Sequence, residues 1–479
     1  MAGFRGFNMV RDRLGRIATC VAVAMAAATP LAISGCSESL PSLPKVGELN
    51  PFKETTPPLP GKRIAVLPAQ ERNVGELAEA SGPIALPPPQ LNEVWAQPGG
   101  VPSNAPGHLA LSGSSLRQAW TASAGRGTSK VGRVSASPIV YDGKIFALDS
   151  GGVVAAFSLS GGSALWTASL KPTTDKTAGP SGLTVAAQNI LYLTAEDGGG
   201  YGGGIAAEGG RLFAASGYGT VIALDPASGN RIWEKNLGVP VRVAPTVTQD
   251  RVFVLTVEGR LYCLSTIDGA ELWVVRGLPQ SASLGLNASP AVDGDVVVVP
   301  YPTGDLVALR VADGSGLWSE SLSRSRTTSQ LASMSDAARP VIDNGIVFAI
   351  GHGGRMVATN AKSGERLWSL TIPGVQPPFV AGDSVFVVDT SGLLMALHRT
   401  DGRTQWTLKL PGSKTWAGPV LANGTLWLAS KEGQLAGVDA ATGRVTGQMA
   451  IGGAVYIPPV VAQGKMFVLT DEAKLVAFN

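Results

Sequence analysis

Few side chains in this sequence could do chemistry, and they are poorly spaced for it. The chain holds three histidines, His108, His352 and His398, none at metal-ligand spacing from another. Glu196-Asp197 is one acidic pair, and a hard cation needs six or more oxygens around it. The run Gly198-Gly-Gly-Tyr-Gly-Gly-Gly204 beside it is not a phosphate loop, because no Lys-Ser/Thr and no helical pattern follow. No serine stands in a Gly-x-Ser-x-Gly turn between a strand and a helix. Asp389 and Asp471 fall at strand ends, where turn roles suffice. No catalytic residue, metal or cofactor is assigned on these grounds. The position with a chemical context is Cys36, which directly follows Leu31-Ala-Ile-Ser-Gly35.

That context is an address. Arg5, Arg11, Arg13 and Arg16, against the single acid Asp12, precede an apolar run from Ile17 to Ile33. A basic start followed by an apolar stretch reads as a secretory signal. Pro30 and the short length argue against a membrane span. Small residues before Cys36 resemble a bacterial lipobox. Cleavage there would remove residues 1–35 and leave Cys36 carrying several acyl chains, enough for stable anchoring. Ser37, rather than Asp, implies the outer membrane, with the protein on its periplasmic face. Taking those four arginines from 38 basic residues, and Asp12 from 35 acidic ones, leaves equal numbers. The remaining chain has no basic field for nucleic acid or anionic lipid. Cys20 leaves with the signal, so Cys263 has no partner for an intramolecular disulfide. Its setting, Arg260-Leu-Tyr-Cys-Leu264, is a strand pattern, and the thiol reads as a small core group.

The elements that must carry any site are short strands. Charged residues are only 15% of the chain, and glycine occurs 61 times. That suits strands joined by turns better than long helices. Residues 36–111, rich in Pro, Ser and Gly, are expected to be a flexible tether. Within them, Lys62 to Leu67 has the pattern of one short strand.

From residue 112 a unit repeats. It runs from a proline through three apolar strands to a polar turn, where a glycine precedes a tryptophan by four residues. Gly162, Gly229, Gly269, Gly314, Gly364 and Gly402 pair in this way with Trp166, Trp233, Trp273, Trp318, Trp368 and Trp406. Gly443 is followed at the same offset by Gly447, so one tryptophan is missing. Three or four strands per copy is the spacing of propeller blades. The last copy stops before its tryptophan strand, and Leu116-Arg-Gln-Ala-Trp120 supplies one from the other end of the sequence. The expected fold is all-β: an eight-bladed propeller over 112–479, closed by an N-terminal strand. Seven blades is the alternative, because the second copy carries a surplus, Lys171 to Gly204, read as a long loop or a displaced strand. The tryptophans are expected to cover seams between blades while each indole N–H finds a carbonyl.

The stretches Ala223-Leu-Asp-Pro-Ala-Ser-Gly-Asn-Arg-Ile-Trp233 and Asp268-Gly-Ala-Glu-Leu-Trp273 resemble the pyrroloquinoline-quinone-like propeller repeat. With the lipobox, tether and blade count, the chain resembles the BamB family, propeller lipoproteins of the bacterial β-barrel assembly machinery. The resemblance implies a scaffold and not an enzyme. It would aid folding and insertion of outer-membrane barrel proteins by binding the barrel-forming subunit, and unfolded substrates could join by strand addition. It also implies contact residues on two loops. One family loop carries Leu-x-Leu-Arg. Here Leu284, Leu286 and Asn287 stand in its place, with Asn replacing Arg. The other carries paired Asp. Here Asp336 remains and Arg339 follows. Quinone-dependent periplasmic dehydrogenases share the repeat, but in that family a vicinal disulfide and a Glu/Asn/Asp calcium site are expected, and this chain has no Cys-Cys pair. A carbohydrate-binding propeller would show clustered aromatics on its loops, and these loops are aromatic-poor.

Overall fold

Runs such as Arg251-Val-Phe-Val-Leu255 and Arg260-Leu-Tyr-Cys-Leu-Ser265 are β-branched and aromatic, bounded by turn residues, and they pair as antiparallel strands. The computed structural model describes residues 72–73, 84–113, 115–130, 132–172, 202–277, 288–322 and 337–479. Among them every regular element is a strand, and the strands form eight sheets. Seven sheets have four strands consecutive in sequence, spanning 139–169, 203–236, 246–276, 291–321, 341–371, 379–409 and 416–450, and the fifth of them gains an extra strand from Arg72–Asn73. The eighth takes three strands from 460–478 and its outer strand from Gln118–Ser123. The chain is therefore an eight-bladed propeller, and its last blade is completed by an N-terminal strand. The second blade opens on Gly203–Glu208, which lacks the proline of the other copies. The rest of the surplus, 173–201, lies outside the described residues, as does Lys62–Leu67.

The inner hairpins turn on pairs with positive φ, such as Asp142-Gly143, Asn344-Gly345 and Asn423-Gly424. Such pairs match the right-handed twist of the strands they join. In every blade the outer strand is bulged one residue before the tryptophan position. In the third blade Cys263 faces Trp273 and Leu264 faces Glu271, so Leu272 has no opposite number. A bulge re-aims the side chain beside it. Here it directs each indole at the next blade.

The consequence is a repeated lock between blades. Trp120, Trp166, Trp233, Trp273, Trp318, Trp368 and Trp406 each donate Nε1–H to a carbonyl of the following blade, at 2.8 to 3.3 Å. The acceptors, from Leu159 O to Ala440 O, lie at turns between third and outer strands. In the same turns Gly162, Gly229, Gly269, Gly314, Gly364, Gly402 and Gly443 lie against the indole face. A Cβ on Gly269 would stand 2.7 Å from Trp233 Cε3. Glycine is thus needed twice, for its φ of 72° and for this close approach. The missing tryptophan also has a reason. In the eighth blade the third and outer strands come from distant parts of the sequence, with Arg117 and Asn479 exchanging backbone hydrogen bonds where a turn would be. An indole at position 447 would have no such turn to enter.

Residues 84–113 correct the expected tether. They belong to the folded body and run across one end of the ring, touching the inner strand or inner hairpin of every blade. Trp95 exchanges backbone hydrogen bonds with Val140 in the first blade, and Ala96 O accepts from Ala207 in the second. The Gln97 amide donates to Val247 O at 2.6 Å and accepts from Val247 N at 3.0 Å in the third. Pro102 O and Ser103 O accept from Val292 and Ile342 in the fourth and fifth. Pro87 lies over Gly382 in the sixth. Leu109 pairs with Leu421 and Asn423 in the seventh, and Ser112 N donates to Gly464 O in the eighth. The backbone of this Pro-rich stretch is satisfied by the ring instead of by water. At the unlocked seam, Asn423 of the seventh blade accepts from Leu111 N at 3.0 Å and donates to Leu111 O at 2.9 Å. Leu111 in turn bridges to Gly464 of the eighth.

Candidate functional site

Strands in a blade alternate in direction, which gives the ring two unlike ends. Turns between first and second strands, and between third and outer strands, lie at one end. The crossing segment covers that end, since its contacts fall where the inner strands finish. Blade-to-blade connections leave from the opposite end. The expected loop residues Leu284, Leu286 and Asn287 belong to the connection between the third and fourth blades, and Asp336 to the next one. All four lie outside the described residues, as does Cys36. Arg339 is described, and it stands directly before the inner strand of the fifth blade.

Arg339 lines a cavity at the inner side of the crossing segment. Trp95, Pro98, Gly99, Asn104 and Pro106 form one wall, and Arg339, Pro377, Pro378, Phe379, Pro419, Val420 and Pro458 form the rest. The cavity proper measures about 20 Å³, room for one or two oxygen-sized atoms. Arg339 is the only charged residue among these. Its Nε is buried with no hydrogen-bond partner, and so is Nε1 of Trp95. Desolvation pushes the guanidinium down to about 10, which leaves it cationic at neutral pH. Asn104 is spoken for, since its Nδ2 donates to Pro340 O at 2.8 Å. Sequence reasoning missed Trp95. The available signal was an indole inside a Pro-rich stretch otherwise read as solvated.

The remaining candidates take structural roles. His108 is buried in the crossing segment. Nε2 accepts from Gly424 N at 2.8 Å, and Nδ1–H donates to Pro87 O at 2.6 Å. His398 lies 3.2 Å from Asp401 at an outer turn. Asp389 accepts backbone N–H bonds from Ser391 and Leu393, both at 2.8 Å, which closes its turn. Cys263 is fully buried, and its thiol is pushed up to about 11 by desolvation. Among the described residues no group of three or more His, Cys, Asp or Glu could hold a metal ion. The ligand set that a calcium-bound quinone would need is not found among the described residues.

A family model described as outer membrane protein assembly factor BamB matches residues 101–200, 184–408 and 402–479. The chain belongs to the BamB family. Among curated members, the protein from Bordetella pertussis is 26% identical over 219 residues, 46% of this chain and 48% of that one. The protein from Nitrosomonas eutropha is 26% identical over 129 residues, 27% of this chain and 31% of that one. The chain thus spans less than half the length of these BamB relatives in each match. Solved structures show the fold. BamB from Moraxella catarrhalis superposes with a TM-score of 0.63 at 16% identity, covering 76% of this chain and 100% of that one. A quinohemoprotein alcohol dehydrogenase from Comamonas testosteroni superposes with 0.61 at 13% identity, covering 80% of each. The ring architecture is common to both, so membership rests on the family model and not on the fold.

Proposed function

We propose that this chain is a non-catalytic scaffold of the outer-membrane β-barrel assembly machinery, anchored through Cys36 to the periplasmic face of the outer membrane. It binds the barrel-forming subunit and so aids folding and insertion of barrel proteins. The observation that carries this reading is the BamB family match over nearly the whole ring. The two-ended geometry supports it. One end is occupied by residues 84–113, which leaves the end with the blade-to-blade connections for a partner. Leu284 and Leu286 are the anchors of that contact, because apolar side chains on a connection gain most from burial at an interface. Asn287, Asp336 and Arg339 are its polar members, Arg339 from within the ring. Unfolded barrel substrates add to outer-strand edges. Arg72–Asn73 pairs in parallel with the outer strand of the fifth blade, so such an edge can accept an extended segment.

The test is affinity capture from detergent-solubilised envelopes, comparing wild type with Leu284→Glu/Leu286→Glu. Recovery of the barrel-forming subunit by wild type alone is expected. Equal recovery by both moves the contact elsewhere on the ring, and no recovery overturns the scaffold reading. The second reading, a quinone-dependent oxidoreductase, is favoured by the dehydrogenase fold likeness alone. A quinone absorbance co-purifying with the chain would revive it.

A further inference from the structure

We propose that the outer edge of the third blade pairs with the same edge of a second copy of this chain. The strand there, Glu271–Arg276, reads Glu-Leu-Trp-Val-Val-Arg. Glu271, Val274 and Arg276 share one face, since they stand opposite Leu264, Tyr262 and Arg260, alternate residues of the neighbouring strand. Both charged residues are exposed, Val274 is 37% exposed and the bulged Leu272 45%. Neither charge is neutralised within the chain. Arg276 lies opposite another cation, Arg260, which is already bonded to Glu258 at 2.9 Å. An open edge is normally blunted by charged residues along its length. Lys235 does this in the second blade and Glu320 in the fourth, whereas Leu272 to Val275 is apolar throughout. The position of Val274 is polar in the other seven blades, as at Thr167, Glu234 and Thr407. The order of the charges selects the occupant. Two such strands laid antiparallel about Val274, with bulged Leu272 counted together with Trp273, bring Val274 against Val274 of the second copy. Glu271 of each copy then meets Arg276 of the other, at both ends of the pair. Opposite charges and β-branched residues facing each other across strands are the contacts that stabilise a sheet. The two-fold axis makes the contact self-complementary and closed. The fifth blade carries an added strand, Arg72–Asn73, so outer edges of this ring can take one more. A contact of six residues a side is small, so the dimer should be weak and concentration-dependent. The inference does not depend on the barrel-assembly reading.

Disulfide trapping of the purified full chain in detergent tests the register. Val274→Cys places its thiol on the two-fold axis, facing its own copy, and should give a covalent dimer. Thr407→Cys, at the same position of the sixth blade, should give no more dimer than wild type. Sedimentation velocity over a range of concentrations tests the charges. Glu271→Lys sets like charges against each other at both ends and should weaken dimerisation about tenfold. Glu271→Lys/Arg276→Glu restores the match, so it should dimerise as wild type does, yet not mix with wild type. All these positions are at least partly exposed, so the variants should keep the near-ultraviolet circular dichroism of the folded chain. A chain that stays monomeric at every concentration overturns the proposal. So do equal trapping at residues 274 and 407, a Glu271→Lys dimer as tight as wild type, or a double reversal that recovers nothing. Trapping of Val274→Cys in whole envelopes that yields an adduct with a different protein and no dimer gives the edge to a foreign strand, and likewise overturns self-pairing.

Discussion

Gly269→Ala measures the lock between blades. The residue has φ of 72°, and a Cβ there would lie 2.7 Å from Trp233 Cε3. Forcing a non-glycine residue into the left-handed region costs about 1–2 kcal/mol. The added methyl must also displace the indole, and overpacking of this kind costs about 1–3 kcal/mol. A displaced Trp233 loses its 3.0 Å bond to Thr266 O, worth about 1 kcal/mol net. The expected loss is about 3–6 kcal/mol. Gly143→Ala is the matched control, because it has φ of 68° and nothing within 4 Å of its would-be Cβ. It should lose only the backbone part, about 1–2 kcal/mol. Urea unfolding followed by near-ultraviolet circular dichroism gives both values. With Trp233→Leu in the background, the cost of Gly269→Ala should fall to that of the control, a coupling of about 2–4 kcal/mol. Equal costs for Gly269→Ala and Gly143→Ala, or no coupling to Trp233, would refute the lock.

Two further outcomes are expected. Asn423→Ala removes both hydrogen bonds to Leu111 and places alanine at φ 46°, so it should cost about 2–3 kcal/mol and speed proteolysis within 84–113 ahead of the blades; a proteolysis pattern identical to wild type would contradict the bridging role. Burial raises the Glu208 carboxyl above its usual 4.5, against a hydrogen bond from Gln249 N–H that lowers it. The folded state then holds the proton more tightly than the unfolded state. The stabilisation is complete below pH 4.5 and is lost as pH rises through the folded value. Glu208→Gln should therefore gain on wild type as pH rises above 4.5 in urea melts, and a difference that does not change with pH would contradict the burial argument.

The blades were legible because each one repeats the same local physics. A glycine at positive φ, four residues before a tryptophan, is a turn and its neighbour's indole seat together, and that spacing survives in sequence. The displaced tryptophan strand at Trp120 announced the closure. The second blade's first strand was obscured because Gly203-Gly-Ile has no proline to mark it. The crossing segment was misread for a different reason. Its order comes largely from backbone groups bonded to the inner strands or inner hairpins of six blades, and main-chain partners leave no periodic signature in side chains. For the same reason the cavity was invisible. Trp95 and Arg339 are far apart in sequence, and only the ring brings them together. Leu284 and Leu286 were found by resemblance, not by periodicity, since connections carry no repeat.

The sharing of the eighth blade between distant parts of the sequence also constrains the order of assembly. A chain that emerges end-first presents Gln118–Ser123 early, and that strand must wait for Lys474–Phe478, the partner with which it closes the sheet. Seven blades can stack as they appear, each indole finding a turn already made or about to be made. The eighth cannot, so the apolar flanks of the first and seventh blades stay wet until nearly the whole chain has arrived. Such long-range pairing is slow and leaves edges open to wrong partners. A stalled or clipped chain is therefore an open arc with a sticky end at each side, readily distinguished from the finished ring by any factor that senses exposed strands.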